Sequence, residues 1–214
     1  MPVDLIESQI DAIMTDMGAN AIKTGMLSSS EIIGCVSGKI REYRVENIVV
    51  DPVMKAKGGA NLINEEAIVT LRDVLIPMAT VVTPNAPEAS VLTGINVADL
   101  DSAREAAVKL VSMGASSVVV KGGHFEEGPA TDVFYDGSEF RLFTTRRIDT
   151  PNTHGTGCTF ASAIAAGLAK GNSMRDSVSD AKAYVTGAIR HNFQIGGGHG
   201  PLNHFYRYWN HTNL

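Results

Sequence analysis

Cysteine is scarce in this chain, and its scarcity argues against two classes of fold. Only two cysteines occur among the 214 residues, Cys35 and Cys158, far apart in sequence and without a CxxC pair. A disulfide framework needs several cysteines, and a structural zinc site needs paired thiolate or imidazole ligands, so neither is supported. Two unpaired thiols fit a reducing compartment, and we expect a cytoplasmic protein.

Long apolar runs, basic clusters and a Walker A motif are also missing. No run reaches the roughly 18 apolar residues of a membrane-spanning helix, and the first residues, MPVDLIESQ, do not resemble a secretion signal. A net charge of -5 without Lys/Arg clusters argues against a nucleic-acid surface. Neither GxxxxGKS nor GxxxxGKT occurs, which excludes the P-loop families. A small-molecule partner is favoured.

The sequence has the pattern of an α/β protein, and we expect a single domain over residues 1–214. Hydrophobic residues make up 44% of the chain, enough for one sizeable core. Helices are predicted at residues 3–17, 28–43, 64–75, 99–113, 158–170 and 174–193, and strands at residues 20–23, 47–50, 79–82 and 117–121. Alternating strands and helices predict a parallel sheet covered on both faces. Two alternating runs joined by Asp136-Gly137 predict an antiparallel hairpin at its edge.

The segment TPNTHGTGCTF, residues 150–160, is the clearest functional signal. It leads a turn of small and polar residues into an apolar helix, whose first N–H groups lack intrahelical partners and attract an anion. Gly155 and Gly157 allow the backbone to approach that anion closely, and the thiol of Cys158 follows them. A phosphate site beside a possible base or nucleophile predicts phosphoryl transfer.

Four further loops follow predicted strands: KTGM (23–26), DPVM (51–54), TPNAPE (83–88) and KGGH (121–124). Open α/β sheets bind ligands at the carboxyl ends of their strands, so we expect all four loops on one rim.

DPVM, TPNAPEA, VKGGH and NTHGTGCTF together resemble the motifs of bacterial hydroxymethylpyrimidine/phosphomethylpyrimidine kinases of thiamine biosynthesis, in the ribokinase-like superfamily. The motifs occur in the family's order across nearly the whole chain. Most of the superfamily has GAGD in the phosphate turn, whereas the pyrimidine kinase branch has GTGC, as here. The resemblance implies a three-layer αβα sandwich with a mostly parallel sheet and an antiparallel hairpin edge. It also implies a kinase that uses ATP and Mg²⁺ to phosphorylate the pyrimidine alcohol and then its monophosphate.

The resemblance assigns the catalytic step to the phosphate turn. Cys158 would accept the proton of the substrate hydroxyl, and the N–H groups of Gly155, Thr156, Gly157 and Cys158 would hold the transferred phosphoryl group. The alternatives are a buried, inert cysteine and a tight entry into a helix.

The rim loops would bind the nucleotide and the metal. Lys121, Asn85, Glu88 and His154 would contact nucleotide or phosphate, and Asp51 and Glu88 would hold Mg²⁺. Alternatively, Asp51 caps a turn, Glu88 is a solvated helix residue, Lys121 is a surface charge and His154 only stabilises the turn.

Met26 and Val53 would form an apolar wall for the flat pyrimidine ring, although ordinary core packing is an almost equal alternative for both. Family members also carry an amino-terminal βα portion with a Gly-rich loop, which supplies much of the pyrimidine pocket. The given sequence does not contain this portion. We therefore expect an N-terminally truncated kinase domain with an exposed sheet edge and apolar face. Such a surface needs a cover, so we expect a homodimer or a fragment with altered stability.

Three other functions stay open at this point. A pyridoxine or pyridoxal kinase of the same superfamily acts on a similar flat aromatic alcohol. A catalytically impaired nucleotide-binding fragment would keep the phosphate turn. A cysteine hydrolase is the weakest of the three, because no Asn or Asp is placed to orient a histidine beside Cys158.

Overall fold

One six-stranded sheet organises the computed structural model, which describes residues 1–55, 59, 61–125 and 128–208. The helices are α1 (Val3–Asp16), α2 (Ser30–Glu42), α3 (Glu65–Thr70), α4 (Ala86–Thr93), α5 (Leu100–Ser112), α6 (Thr156–Ala169) and α7 (Met174–Arg190). The strands are β1 (Ile22–Thr24), β2 (Ile48–Val50), β3 (Val81–Val82), β4 (Val118–Val120), β5 (Ala130–Tyr135) and β6 (Phe140–Thr145).

The strands lie in the order in which the chain visits them, β1 to β6. Strands β1 to β4 are parallel, and β5 and β6 add antiparallel at the end of the sheet. Because right-handed crossovers between successive neighbours run over the same face, helices α2 to α5 cover one side of the sheet. Helices α6 and α7 cover the other. The predicted three-layer sandwich with a hairpin edge is confirmed.

Valine side chains divide between two apolar cores, one on each face of the sheet. Val50 and Val82 pack against helices α2 to α5, whereas Val49, Val81 and Val119 pack against α6 and α7. All five are fully buried. A strand that is buried on both faces needs a continuous run of apolar residues. The valine-rich runs therefore predicted these strands correctly.

Three predicted helices begin where side-chain caps accept backbone N–H groups. Ser29 caps α2, Asn64 caps α3, and Asp99 caps α5. The predicted helix over residues 64–75 is regular only to Thr70, and it continues as a wider turn at Leu71–Leu75. Helix propensity alone does not distinguish these two hydrogen-bond patterns.

Three further helix boundaries differ from the prediction by two residues or more: α2 begins at Ser30 instead of residue 28, and the start of α6 and the end of α7 also differ. Helix α6 begins at Thr156, earlier than the predicted residue 158, because Gly155 adopts the left-handed conformation (φ 80°) immediately before it. Helix α7 ends at Arg190, where the prediction extended to residue 193.

The hairpin turn is tied to α7 by an ion pair. Asp136 accepts hydrogen bonds from the N–H groups of Ser138 and Glu139, at 3.0 and 2.8 Å. Its other oxygen lies 2.6 Å from the guanidinium of Arg175 on α7. Arg175 therefore holds the pKa of Asp136 well below its usual range. The hairpin is thus fastened to the helical layer at its tip.

Strand β1 forms an open edge, since it pairs only with β2 among the described residues. No residue of the neighbouring α1 is buried, and Leu5, Ile13 and Met17 are 46%, 48% and 73% exposed. In the described part of the chain, the sheet therefore has an open edge at β1, and α1 exposes these three apolar side chains. Within the described residues, no helix combines the length and apolar character that crossing a bilayer requires.

Candidate active site

The loops after β1, β2, β3 and β4 begin at one rim of the sheet, as predicted. The N–H of Asp51 donates to the carbonyl of Thr24 at 3.0 Å, which sets the loops after β1 and β2 side by side. The N–H of Lys121 donates to the carbonyl of Pro84 at 2.8 Å, which does the same for the loops after β3 and β4.

A buried carboxylate flanked by two lysines lies at the centre of this rim. Asp51 is 1% exposed, and its Oδ1 accepts a hydrogen bond from Nζ of Lys121 at 2.9 Å. Nζ of Lys23 lies 3.8 Å from Oδ2, and this oxygen has no hydrogen-bond partner within the described part of the chain. The alternative interpretation of Lys121 as a surface charge is therefore wrong, and the described contacts of the Asp51 side chain are with Lys23, Thr83 and Lys121.

Lys121 also experiences the charge of Glu88, which is only 7% exposed. Burial alone lowers the pKa of Lys121, but the negative charges of Asp51 and Glu88 outweigh it, so the pKa lies above its ordinary value. Burial raises the pKa of Glu88, and Lys121 offsets only part of that increase. The rim thus combines an ammonium group whose charged form is favoured with a carboxylate whose charge is costly to bury.

Asn85 and Glu88 act together, as their spacing predicted, and they do so as a capping box at the start of α4. The N–H of Glu88 donates to Oδ1 of Asn85 at 2.8 Å, and the N–H of Asn85 donates to Oε2 of Glu88 at 2.7 Å. The backbone N–H of Met54, in the loop after β2, also donates a hydrogen bond to the carboxylate of Glu88. The interpretation of Glu88 as a solvated helix residue is wrong.

The glycine turn lies directly over the Asp51–Lys121 pair. A Cβ atom added to Gly157 would lie 3.0 Å from Nζ of Lys121 and 4.0 Å from Oδ2 of Asp51. No side chain caps α6, so its first N–H groups are available to a ligand. The N–H of Thr156 is turned back toward the carbonyl of Thr153, at 3.4 Å.

Cys158 is a free, exposed thiol on the first turn of α6. The interpretation as a buried, inert cysteine is therefore wrong. Its side chain lines a groove of about 630 Å³ between α6, α7 and the segment 203–207, together with Ser162, Ala166, Tyr184 and His204.

The two predicted wall residues differ in burial. Met26 is 50% exposed, so core packing does not account for it, while Val53 is half-buried. Met54, the next residue, is 5% exposed and belongs to the core. Met26 and Val53 follow β1 and β2 at the same rim, where an apolar ligand surface is available.

His154 connects the phosphate turn to the carboxy-terminal segment. Its N–H donates to the carbonyl of Gly200 at 3.2 Å, and its side chain is exposed. The N–H of Gly200 in turn donates to Oδ1 of Asn152 at 3.1 Å. A few residues later, the ring of His204 contacts Oγ1 of Thr159 at 3.0 Å. The segment 200–204 therefore holds the turn, a role that sequence reasoning missed.

We expect Gly200→Ala to disturb this turn. A Cβ atom at Gly200 would overlap Oδ1 of Asn152, so the variant should lose roughly 1–3 kcal/mol of unfolding free energy. Gly197→Ala is the matched control, because nothing lies within 4 Å of a Cβ atom there. Urea denaturation measures both, and equal midpoints would show that the segment does not support the turn.

Known proteins resemble this chain over almost its entire length. A family model described as phosphomethylpyrimidine kinase matches residues 1–203. The thiamine biosynthesis bifunctional protein ThiED of Geobacter sulfurreducens is 50% identical over 204 residues, covering 95% of this chain and 42% of that protein. The hydroxymethylpyrimidine/phosphomethylpyrimidine kinase of Bacillus subtilis is 46% identical over 206 residues, covering 96% of this chain and 76% of that kinase. A crystal structure of an ADP complex of Bacillus subtilis pyridoxal kinase matches with a TM-score of 0.91 and 38% identity, covering 98% of this chain and 79% of that one.

The fold, and a glycine turn above a lysine–carboxylate cluster, define this protein as a small-molecule kinase of the ribokinase-like fold. The chain belongs to the phosphomethylpyrimidine kinase family. The resemblance inferred from the four motifs is confirmed. The chain spans less than half the length of the bifunctional relative and about three quarters of the Bacillus kinase.

Proposed function

We propose that this chain transfers the γ-phosphoryl group of ATP to the hydroxyl of 4-amino-5-hydroxymethyl-2-methylpyrimidine, and a second one to the resulting monophosphate. The observation that carries the proposal is the position of Gly157 over Nζ of Lys121, with the exposed thiol of Cys158 on the same turn. Membership of the family and the GTGC turn support the choice of substrate.

In this proposal, each group of the rim has one task. The N–H groups of Gly155, Gly157 and Cys158 hold the phosphoryl group, with Thr156 shaping the turn, and Lys121 neutralises its charge. Cys158 accepts the proton of the attacking hydroxyl. Met26 and Val53 contact the pyrimidine ring, and Asn85 and His154 contact the nucleotide. Lys23, which sequence reasoning left without a role, adds a second positive charge beside Asp51.

Mg²⁺ fits the rim through Asp51 and Glu88. Oδ2 of Asp51 is buried without a hydrogen-bond partner among the described residues, and the carboxylate of Glu88 is held at the same rim by the backbone N–H groups of Asn85 and Met54. No group of three or more His, Cys, Asp or Glu side chains converges within the described ranges. Phosphate oxygens and water would therefore complete the six ligands of the ion, which neutralises charge on the phosphates.

Glu88→Gln should separate metal binding from stability. The variant keeps the shape of the capping box but loses the charge, so we expect the apparent affinity for Mg²⁺ to fall by about tenfold or more. The carboxylate of Glu88 is costly to bury, because its pKa is raised in the folded chain mainly by burial. Removing the charge should therefore leave the unfolding free energy at pH 7 unchanged or higher.

The sign of the pH effect provides a second measurement on the same variant. A raised pKa means that the folded chain binds the proton of Glu88 more tightly than the unfolded chain does. This group's stabilising contribution therefore decreases as the pH rises from the ordinary value of 4.5 through the raised pKa. Glu88→Gln should remove that decrease, whereas Glu66→Gln, in the first turn of α3, should retain it. Parallel unfolding curves for the wild type and Glu88→Gln across this range would contradict the account.

A pyridoxal kinase is the second candidate, because the structural match to the Bacillus subtilis enzyme covers almost the whole chain. A coupled assay of ADP release, run with the pyrimidine alcohol and with pyridoxal, compares kcat/KM directly. We expect the pyrimidine to be the better substrate. Turnover of pyridoxal without turnover of the pyrimidine would overturn this choice, and ADP binding without any turnover would indicate an impaired nucleotide-binding fragment.

The proposal includes a cytoplasmic homodimer. Both cysteines are free thiols, which suits a reducing compartment, and a second copy would cover the open edge of β1 or the exposed apolar side chains of α1. Sedimentation equilibrium should give a dimer that Ile13→Glu weakens and that Thr15→Glu, which lies away from Leu5, Ile13 and Met17 on the same helix, does not. A stable wild-type monomer with a sharp melting transition would contradict the dimer.

A further inference from the structure

A buried ion pair lies behind the loop that carries Lys121. Asp132 on β5 and Lys182 on α7 have side chains 7% and 12% exposed, and Oδ2 of Asp132 lies 2.8 Å from Nζ of Lys182. The other oxygen of Asp132 accepts a hydrogen bond from the N–H of Gly122 at 3.0 Å. Lys182 also donates to the carbonyl of Ala130 at 3.0 Å. The carboxylate thus connects α7, the hairpin and the loop after β4.

The backbone of Gly122 packs directly against the backbone of Thr131 in the hairpin. A Cβ atom at this position would overlap the carbonyl of Thr131, so only glycine fits there. The preceding N–H, that of Lys121, donates to the carbonyl of Pro84. Backbone hydrogen bonds at two successive residues therefore fix the Cα of Lys121 and the direction in which its side chain leaves the strand.

Fold stability gives little reason for this arrangement. A buried ion pair is often no more stabilising than well-packed apolar side chains of similar volume, since both charges lose their hydration. Hydrogen bonds from neutral N–H groups to a carboxylate are short and strong, and they fix geometry well. The Asp132–Lys182 pair holds the backbone of Gly122, and this backbone determines the position of the neighbouring Lys121.

We propose that Asp132 and Lys182 are positioning residues, which hold Gly122 and, through it, keep Lys121 aimed at the nucleotide phosphates. This inference rests on the proposed kinase function. Neither residue contacts the reacting groups: the pair acts on Lys121 through the loop, and the charge of Asp132 additionally raises the pKa of Lys121.

Lys182→Met tests the inference, with Asp132→Asn as a second variant that preserves an acceptor for Gly122. We expect KM for ATP and Kd for ADP with Mg²⁺ to rise about tenfold to a hundredfold in Lys182→Met, the range for losing a charged hydrogen bond. KM for the alcohol should change less than about twofold, and Lys182→Arg should recover most of the nucleotide affinity, because it restores the charge. Hydrogen exchange at the Gly122 amide should accelerate in Lys182→Met and Asp132→Asn.

Arg175→Met is the matched control, because Arg175 also pairs α7 with the hairpin, but at its tip. It should leave ADP affinity and Gly122 exchange unchanged. Unaltered ADP affinity in a folded Lys182→Met protein would overturn the inference, and so would equal losses in Lys182→Met and Arg175→Met. A wild type that binds ADP without transferring phosphate would refute the proposed function alone, since the comparison of ADP affinities would still decide the positioning role.

Discussion

Replacing Cys158 by alanine should lower kcat by about 100- to 10,000-fold, the range expected for losing a positioned general base, with Kd for ATP almost unchanged. The thiol is exposed on the first turn of α6, next to the N–H groups proposed to hold the phosphoryl group. Removing the sulfur leaves that backbone in place. Binding and catalysis should therefore separate in this variant.

Two companion variants make the Cys158 experiment specific. Cys35→Ala removes the other thiol, on α2, and should retain full activity. Cys158→Asp introduces the carboxylate that occupies this position in most of the superfamily, and it should recover part of the activity lost in Cys158→Ala. Wild-type kcat in Cys158→Ala, measured by ADP release with the pyrimidine alcohol, would refute the general-base assignment.

Lys121→Met should damage both catalysis and stability. Loss of its ammonium removes a charge close to the proposed phosphoryl site, and kcat/KM for ATP should fall by about 100- to 1,000-fold. It also deprives the buried Asp51 of its partner at 2.9 Å. Breaking such a buried pair costs roughly 3–5 kcal/mol of unfolding free energy, and Lys23, at 3.8 Å, should keep the loss near the lower value.

Urea denaturation and steady-state kinetics measure the two effects of Lys121→Met independently. Lys109→Met, at an exposed position on α5, is the control and should alter neither quantity. A Lys121→Met protein with wild-type kcat/KM for ATP would show that the Asp51–Lys121 pair is structural only. A wild-type urea midpoint would show instead that Asp51 does not depend on this lysine.

Much of the fold was predictable because its signals are local. The valine-rich strands, the cap Asn64 and the Asp136-Gly137 turn each depend on a few neighbouring residues, whereas the second helix, predicted from Ser28, is capped by Ser29. The start of α6 was misplaced, because the conformation of Gly155 is set by the turn that precedes the helix. Boundaries of this kind depend on backbone angles that composition does not specify.

The site was predictable as a set of loops but not as a set of contacts. Asp51 and Lys121 were both predicted at the rim, yet they are 70 residues apart in sequence, and no local pattern shows that they pair. Asp132 lies in a strand with an alternating pattern, in which a polar residue gives no functional signal. Its partners Gly122 and Lys182 come from other elements. Sequence patterns identify which residues reach the rim, and tertiary packing decides which of them touch.

The most direct test of the account is phosphorus NMR of the purified chain with ATP, Mg²⁺ and the pyrimidine alcohol. The account predicts the signal of a phosphate monoester, followed by that of a diphosphate, as ATP is converted to ADP. Hydrolysis of ATP to inorganic phosphate without either ester, or an unchanged ATP spectrum, would contradict it.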